Sequence, residues 1–188
     1  MKKAIFTLIL GVLFFPCMVF GKDIEGVSVP ENITLDNGAV LSLNGAGLRT
    51  KFFFDIYVGA LYLPAAMHDV QQIIDDPGPK RVGMYILYDA LSKEKITSGW
   101  TEGFEDNNSG EQLSSLRQRL DKFNRLFKDL KEGDVVFMDY VPDMGTRLVI
   151  NGQKMGTVKG RDINVALLKV WLGASPADSE LKSAMLGK

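Results

Sequence analysis

Cysteine and histidine are nearly missing: the 188 residues contain one of each, Cys17 and His68. A single histidine excludes a two-histidine metal site within one chain. His68 follows Met67 in a segment without periodicity and is read as an exposed loop side chain rather than as the base of a catalytic triad. Cys17 lies so close to the N-terminus that the rest of the chain has no cysteine ligand, cysteine nucleophile or disulfide. An excess of one charge is missing too, with 22 Lys+Arg against 23 Asp+Glu and a net charge of −1. A protein that neutralises nucleic-acid phosphates needs a basic surplus, so no nucleic acid is expected as a partner. Gly45-Ala46-Gly47 lacks the Lys-Ser/Thr of a phosphate loop. No cofactor and no metal are expected.

What is present is ordinary globular composition, 46% hydrophobic and 24% charged, which excludes a disordered chain, a collagen-like repeat and a polytopic membrane protein. Residues 1–21 read as a signal peptide. Lys2 and Lys3 form its basic start, Ala4 to Phe20 carry no charge, and Val19-Phe20-Gly21 suits cleavage after Gly21. An uncleaved anchor is the competing reading, but the apolar run is at the short limit for spanning and contains Pro16. A lipid-modified Cys17 is a further one, disfavoured by the bulky Phe14-Phe15-Pro16 before it. Residues 22–188 then form a single domain, periplasmic or secreted, with no membrane span after cleavage and an oligomeric state left open.

Asp36-Asn37-Gly38 between Ile33-Leu35 and Val40-Leu41 signals a hairpin, after which Gly45 and Gly47 break the pattern. A long strand is expected over Thr50–Leu63. It places Phe52, Phe54, Ile56, Val58, Ala60 and Tyr62 on one face, and Phe53, Asp55, Tyr57, Gly59, Leu61 and Leu63 on the other. Both faces are largely apolar, so the strand is read as central, with Gly59 marking a bulge or a close approach. A short helix over Val70–Ile74 and a strand over Arg81–Tyr88 follow. The next helix opens at Ser92, and another starts at the capping box Ser109-Gly110-Glu111-Gln112. Its apolar stripe is Leu113, Leu116, Leu120, Phe123, Phe127 and Leu130. Asp134–Val141, Thr146–Ile150 and Gln153–Val158 read as a β-meander turning at Asn151-Gly152. Asp162–Leu172 reads as a helix capped by Gly173, and Ser175-Pro176 as the opening of a last short helix. Short links between strands make the pairing antiparallel, and the class α+β, with helices packed on a sheet.

The polar intrusion into this pattern is at the start of the long strand, where Arg49, Lys51, Asp55 and Tyr57 share a face with Phe53. Buried charges need partners. One reading is a structural pair, Arg49–Asp55 or Lys51–Asp55. The other is a cationic anchor at the mouth of an apolar cleft between sheet and helices. Arg49 would then hold an organic anion through its planar fork, and the Tyr57 hydroxyl would support it. Tyr85 and Tyr88 read as half-buried sheet residues, Trp100 and Trp171 as core.

The segment Leu43-Asn44-Gly45-Ala46-Gly47-Leu48-Arg49-Thr50-Lys51-Phe52-Phe53-Phe54, continued by Val58-Gly59-Ala60-Leu61-Tyr62-Leu63-Pro64, resembles the bacterial exported branch of the chalcone isomerase-like family. Gly145-Thr146, Gly156, Val158-Lys159-Gly160 and Val170-Trp171-Leu172-Gly173 with Pro176 and Leu181-Lys182 extend the resemblance along the chain. It implies an open-faced β-sandwich, a large antiparallel sheet covered by helices. Of the positions that the plant isomerases use, Arg49 matches the arginine. The strand threonine falls near Tyr57, the tyrosine at Ser92, the asparagine near Gly99 and the late-helix threonine near Val170. The family also contains fatty-acid-binding members without catalysis, and Arg49 with a nearby Tyr57 looks more like these.

The expectation is therefore an exported, non-catalytic protein that binds a fatty-acid-like or aromatic organic acid, with Arg49, Tyr57 and Ser92 as ligand-binding residues and no catalytic residue. A cofactor-independent isomerase or lyase is the enzymatic alternative. An envelope partner protein without a ligand is the third, and its sign would be a filled cleft.

Overall fold

The computed structural model describes residues 21–188, so the expected signal segment lies, apart from Gly21, outside the described residues. The strands, in chain order, are β1 (Gly21–Ile24), β2 (Val27–Pro30), β3 (Asn32–Thr34), β4 (Val40–Lys51), β5 (Phe54–Leu63), β6 (Lys80–Ile86), β7 (Val135–Val141), β8 (Gly145–Ile150) and β9 (Gln153–Val158). The helices are α1 (Val70–Asp75), α2 (Lys93–Asn107), α3 (Gly110–Arg125), α4 (Arg161–Leu172) and α5 (Ser179–Met185). Strands β3 to β9 form one seven-stranded sheet in sequence order, every pair antiparallel. β1 and β2 make a separate ribbon.

Local chemistry explains most of these boundaries. Leu35 N–H donates to Ala39 O across the Asn37-Gly38 turn, where Gly38 takes φ 85°. Asn151 and Gly152 both adopt positive φ, 50° and 76°, as a two-residue hairpin turn requires. Ser92 caps α2 by accepting from Lys95 N–H. At α3 the reciprocal bonds of Ser109 and Gln112 form the expected capping box.

The long strand expected over Thr50–Leu63 is instead a hairpin. β4 runs on to Lys51, the chain reverses at Phe52-Phe53, and β5 begins at Phe54. Arg49 thus faces Tyr57 across two strands, with Thr50 opposite Asp55 and Lys51 opposite Phe54. Phe-Phe at the reversal gives no turn signal, and Phe52 must take φ 59°, a region disfavoured for bulky residues. Pairing imposed from both sides by the packed interior overrides that local preference. The expected break at Gly45 and Gly47 is absent as well, since both lie inside β4. They are small because α5 lies across them: a Cβ on Gly45 would collide with the Ala184 carbonyl oxygen, and one on Gly47 with the Ala184 side chain. Gly59 does mark a close approach, to Leu181 of the same helix.

Two helix ends also differ. α3 stops at Arg125, and Leu130 lies beyond it, exchanging backbone hydrogen bonds with Leu91 at 2.8 and 2.9 Å. Phe127 and Leu130 are buried nonetheless. The last helix starts at Ser179 with Asp178 as its cap, not at Ser175-Pro176. Asp178 accepts from the backbone N–H of Glu180 and Leu181, each at 2.9 Å, so a carboxylate takes the capping role at this helix start.

The sheet separates two apolar layers. On the helix side, Tyr57, Leu61 and Leu63 pack with Trp100, Phe104, Leu120, Phe123, Leu167 and Trp171. On the other side, Val58, Ala60 and Tyr62 pack with Val29, Leu35 and Leu41. β5 is covered on both faces, as a central strand should be. Beside the second layer, fully buried Asp139 accepts from Arg81 at 2.8 Å and from Arg147 at 3.0 Å, so its charge is matched.

Candidate functional site

The β4–β5 hairpin and the start of α2 bound a cavity of about 540 Å³, within the range of small-molecule sites. Its walls are apolar: Phe54, Ile56, Met84, Ile96, Trp100 and Val170 line it. Arg49 and Tyr57, paired across the strands, supply its inner polar groups, and Lys51, Glu94, Lys95 and Glu102 stand among its remaining lining residues.

Arg49 forms neither of the expected ion pairs with Asp55, and Lys51 forms none either, among the described residues. The reason is the hairpin: Asp55 faces Thr50 in the register and is exposed. The Arg49 guanidinium instead stands 5.4 Å from the centre of the Tyr57 ring, a cation–π distance. Its Nε is buried and has no hydrogen-bond partner.

Tyr57 is buried beneath it. Its hydroxyl oxygen accepts from Trp171 Nε1–H at 2.9 Å. Burial pushes the Tyr57 pKa up, with the Arg49 charge and the Trp171 bond opposing. The phenol therefore stays neutral at ordinary pH and keeps its proton to donate. Trp100, 4% exposed, also lines the cavity, and its Nε1 is a further buried donor without an acceptor. Buried polar groups are almost always satisfied, so unmatched donors beside one cavity are an unusual arrangement. They suit an acceptor-rich, negatively charged guest.

Arg49 and Tyr57 thus come together at the cavity, while Ser92 does not line it. Its hydroxyl is engaged at 3.3 Å with Lys95 N–H as the α2 cap, and a capping position at a helix start holds the side chain against its own first turn. Gly99 and Val170, to which the resemblance also pointed, do line the cavity. Reading Trp100 and Trp171 only as core missed their polar edges. The available signal was chemical, because a buried indole N–H normally finds a partner. His68 is exposed, with Nδ1 2.7 Å from Leu186 O, away from the cavity lining.

Comparison with known proteins follows the same line. The family model described as chalcone isomerase-like matches residues 21–187, and the chain belongs to the chalcone isomerase-like family. Among solved structures, a fatty-acid binding protein of Arabidopsis thaliana superposes with a TM-score of 0.63 at 15% identity. The alignment covers 83% of this chain and 96% of that one, which shows a shared fold. No curated protein matches the chain in sequence.

Proposed function

We propose that this protein is an exported, non-catalytic binding protein for an amphipathic organic anion, fatty-acid-like or aromatic. Arg49 anchors the acid group, Tyr57 donates a second hydrogen bond, and the apolar walls hold the rest. The observation that carries this reading is the Arg49 guanidinium: its Nε is buried, unpaired, and set beside a cavity lined mainly by apolar side chains. A buried donor without an acceptor is costly, and a bound carboxylate removes that cost. The Arabidopsis fatty-acid binding protein of the same fold supports this class of ligand. Export rests on Lys2, Lys3 and the uncharged run to Phe20.

Isothermal calorimetry with palmitate and with cinnamate tests the reading. Saturable binding of either is expected, weakened about tenfold to a hundredfold in Arg49→Ala through loss of charge-assisted hydrogen bonds. Unchanged affinity in Arg49→Ala rules out the anchor. The same donors would also stabilise a developing oxyanion, which is the isomerase reading. Turnover of a chalcone, followed by absorbance and abolished in Arg49→Ala, would favour that reading over simple binding. An open cavity speaks against a ligand-free partner protein, for which a filled cleft is the sign.

A further inference from the structure

The β4–β5 hairpin tip carries an apolar surface that the binding site does not require. Phe52 is 85% exposed, Phe53 100% and Phe54 56%. Among the described residues, the other large exposed hydrophobics, Val40 and Met144, are single residues in separate segments. Scattered apolar residues on a surface are normal, whereas a contiguous patch marks an interaction.

Neither the turn nor the core accounts for these side chains. Phe52 holds φ 59°, and the other non-glycine residues with positive φ among the described residues are Glu25, Asp143 and Asn151. Asn or Asp tolerates that conformation better than Phe. Phe53 touches no core, being fully exposed. At Phe52 and Phe53 the tip therefore accepts both backbone strain and solvent exposure for aromatic groups that no aromatic ring pairs with among the described residues.

The surroundings identify the partner. Phe52 and Phe54 line the mouth of the cavity, so whatever covers the tip also faces the opening. Phe54 meets Tyr88 edge-on, with ring centres 5.6 Å apart. Lys95 stands 5.9 Å from the other ring of that pair, Tyr88, and exposed Lys51 adjoins the tip; exposed Asp55 beside Phe54 and Glu94 and Glu102 in the cavity lining offset these charges, so the rings rather than net charge carry the contact. Aromatic groups projecting from a narrow hairpin, with lysines set behind them, fit the bilayer interface, where rings enter the headgroup region and cations meet phosphate. No helix among the described residues is long and apolar enough to cross a membrane, so the contact is peripheral.

We propose that the Phe52-Phe53-Phe54 tip inserts into the surface of a phospholipid bilayer and brings the cavity mouth against it. The ligand then passes between bilayer and cavity without crossing bulk water. This second step rests on the binding reading above; the docking itself does not.

The test is co-sedimentation with vesicles of phosphatidylethanolamine and phosphatidylglycerol, using the parent protein and the double variant Phe52→Ser/Phe53→Ser. Both carry the same N-terminus, so their difference reports the tip alone. The parent is expected to partition onto the vesicles, and the double variant about ten- to a hundredfold less, as expected for two lost buried rings. In the absence of vesicles, the single variant Phe53→Ser, whose side chain lies outside the cavity lining, should bind cis-parinaric acid as the parent does, and a circular-dichroism spectrum equal to the parent's shows that the double variant is folded. Equal partitioning of parent and variant, or none by the parent, overturns the proposal. So does tip-dependent self-association in gel filtration that persists when vesicles are added, because the tip would then serve a second copy. If parinaric acid fails to bind the parent while vesicle partitioning depends on the tip, docking stands and the ligand reading falls.

Discussion

Tyr57 has two duties at one oxygen. It satisfies the buried Trp171 indole at 2.9 Å, and its hydroxyl lies in the lining of the cavity with its own proton free to donate. In Tyr57→Phe the indole N–H loses its acceptor inside the core, which costs about 1–3 kcal/mol of stability. Urea denaturation should show this loss, while calorimetry should show weaker ligand binding than in the parent. An unchanged urea midpoint would mean that the Trp171 bond contributes nothing. Arg49 and Tyr57 were legible in the sequence because a cation and a phenol stand out among Phe and Leu. Trp100 and Trp171 were not, since tryptophan at helical spacing has the same pattern whether its N–H is satisfied, bare or shared with a site. Ser92 was legible as a helix cap and misread as a ligand group, because the resemblance aligned it with a tyrosine whose longer side chain has a different reach.

At the scale of elements, β4 and α5 are matched surfaces. The glycines at 45 and 47 clear a track on the strand, and Ala184, Met185 and Leu181 fill it. Gly45→Ala would drive a methyl group into helix backbone, where only displacement of α5 relieves the clash. A loss of about 1–3 kcal/mol is expected, read as a lower urea midpoint. The same substitution at Gly99, where a Cβ meets nothing within 4 Å, should leave the midpoint unchanged or raise it, since alanine is the better helix former. The sequence displayed the meander, the capping box and the Asn-Gly turn because each is encoded within a few neighbouring residues. It did not display the turn at Phe52-Phe53 or the start of α5. The first is fixed by pairing of Arg49 with Tyr57 and Gly47 with Gly59. The second is fixed partly by Asp178, which also accepts from Thr50 N–H at 3.2 Å on β4. The first lies in strand pairing that the Phe-Phe turn itself does not announce, and the second in a contact between segments 128 positions apart, so neither is visible to local pattern.

For the molecule as a whole, the buried tyrosines set a stability limit in alkali. Burial pushes the pKa of Tyr57, Tyr62 and Tyr85 upward. In the unfolded chain they ionise near pH ~10, whereas the folded chain holds them neutral. Their contribution is complete below pH ~10 and is lost as the pH climbs from there toward the raised folded values. Lys80, whose pKa burial lowers, works the other way over part of this range and offsets a share. Thermal melting should therefore decline above about pH 10, and less steeply in Tyr57→Phe than in the parent. Equal slopes would show that Tyr57 ionises as easily folded as unfolded.

The placement of α5 has a consequence for how the protein is made. Asn44 donates to the carbonyl of Met185, 141 positions away, and Leu181 and Met185 are buried in the main core. The interior therefore stays open until α5 has been made and has docked on β4. A stop codon just before Ser179 would release a polypeptide with an uncovered glycine track, a ready target for proteases.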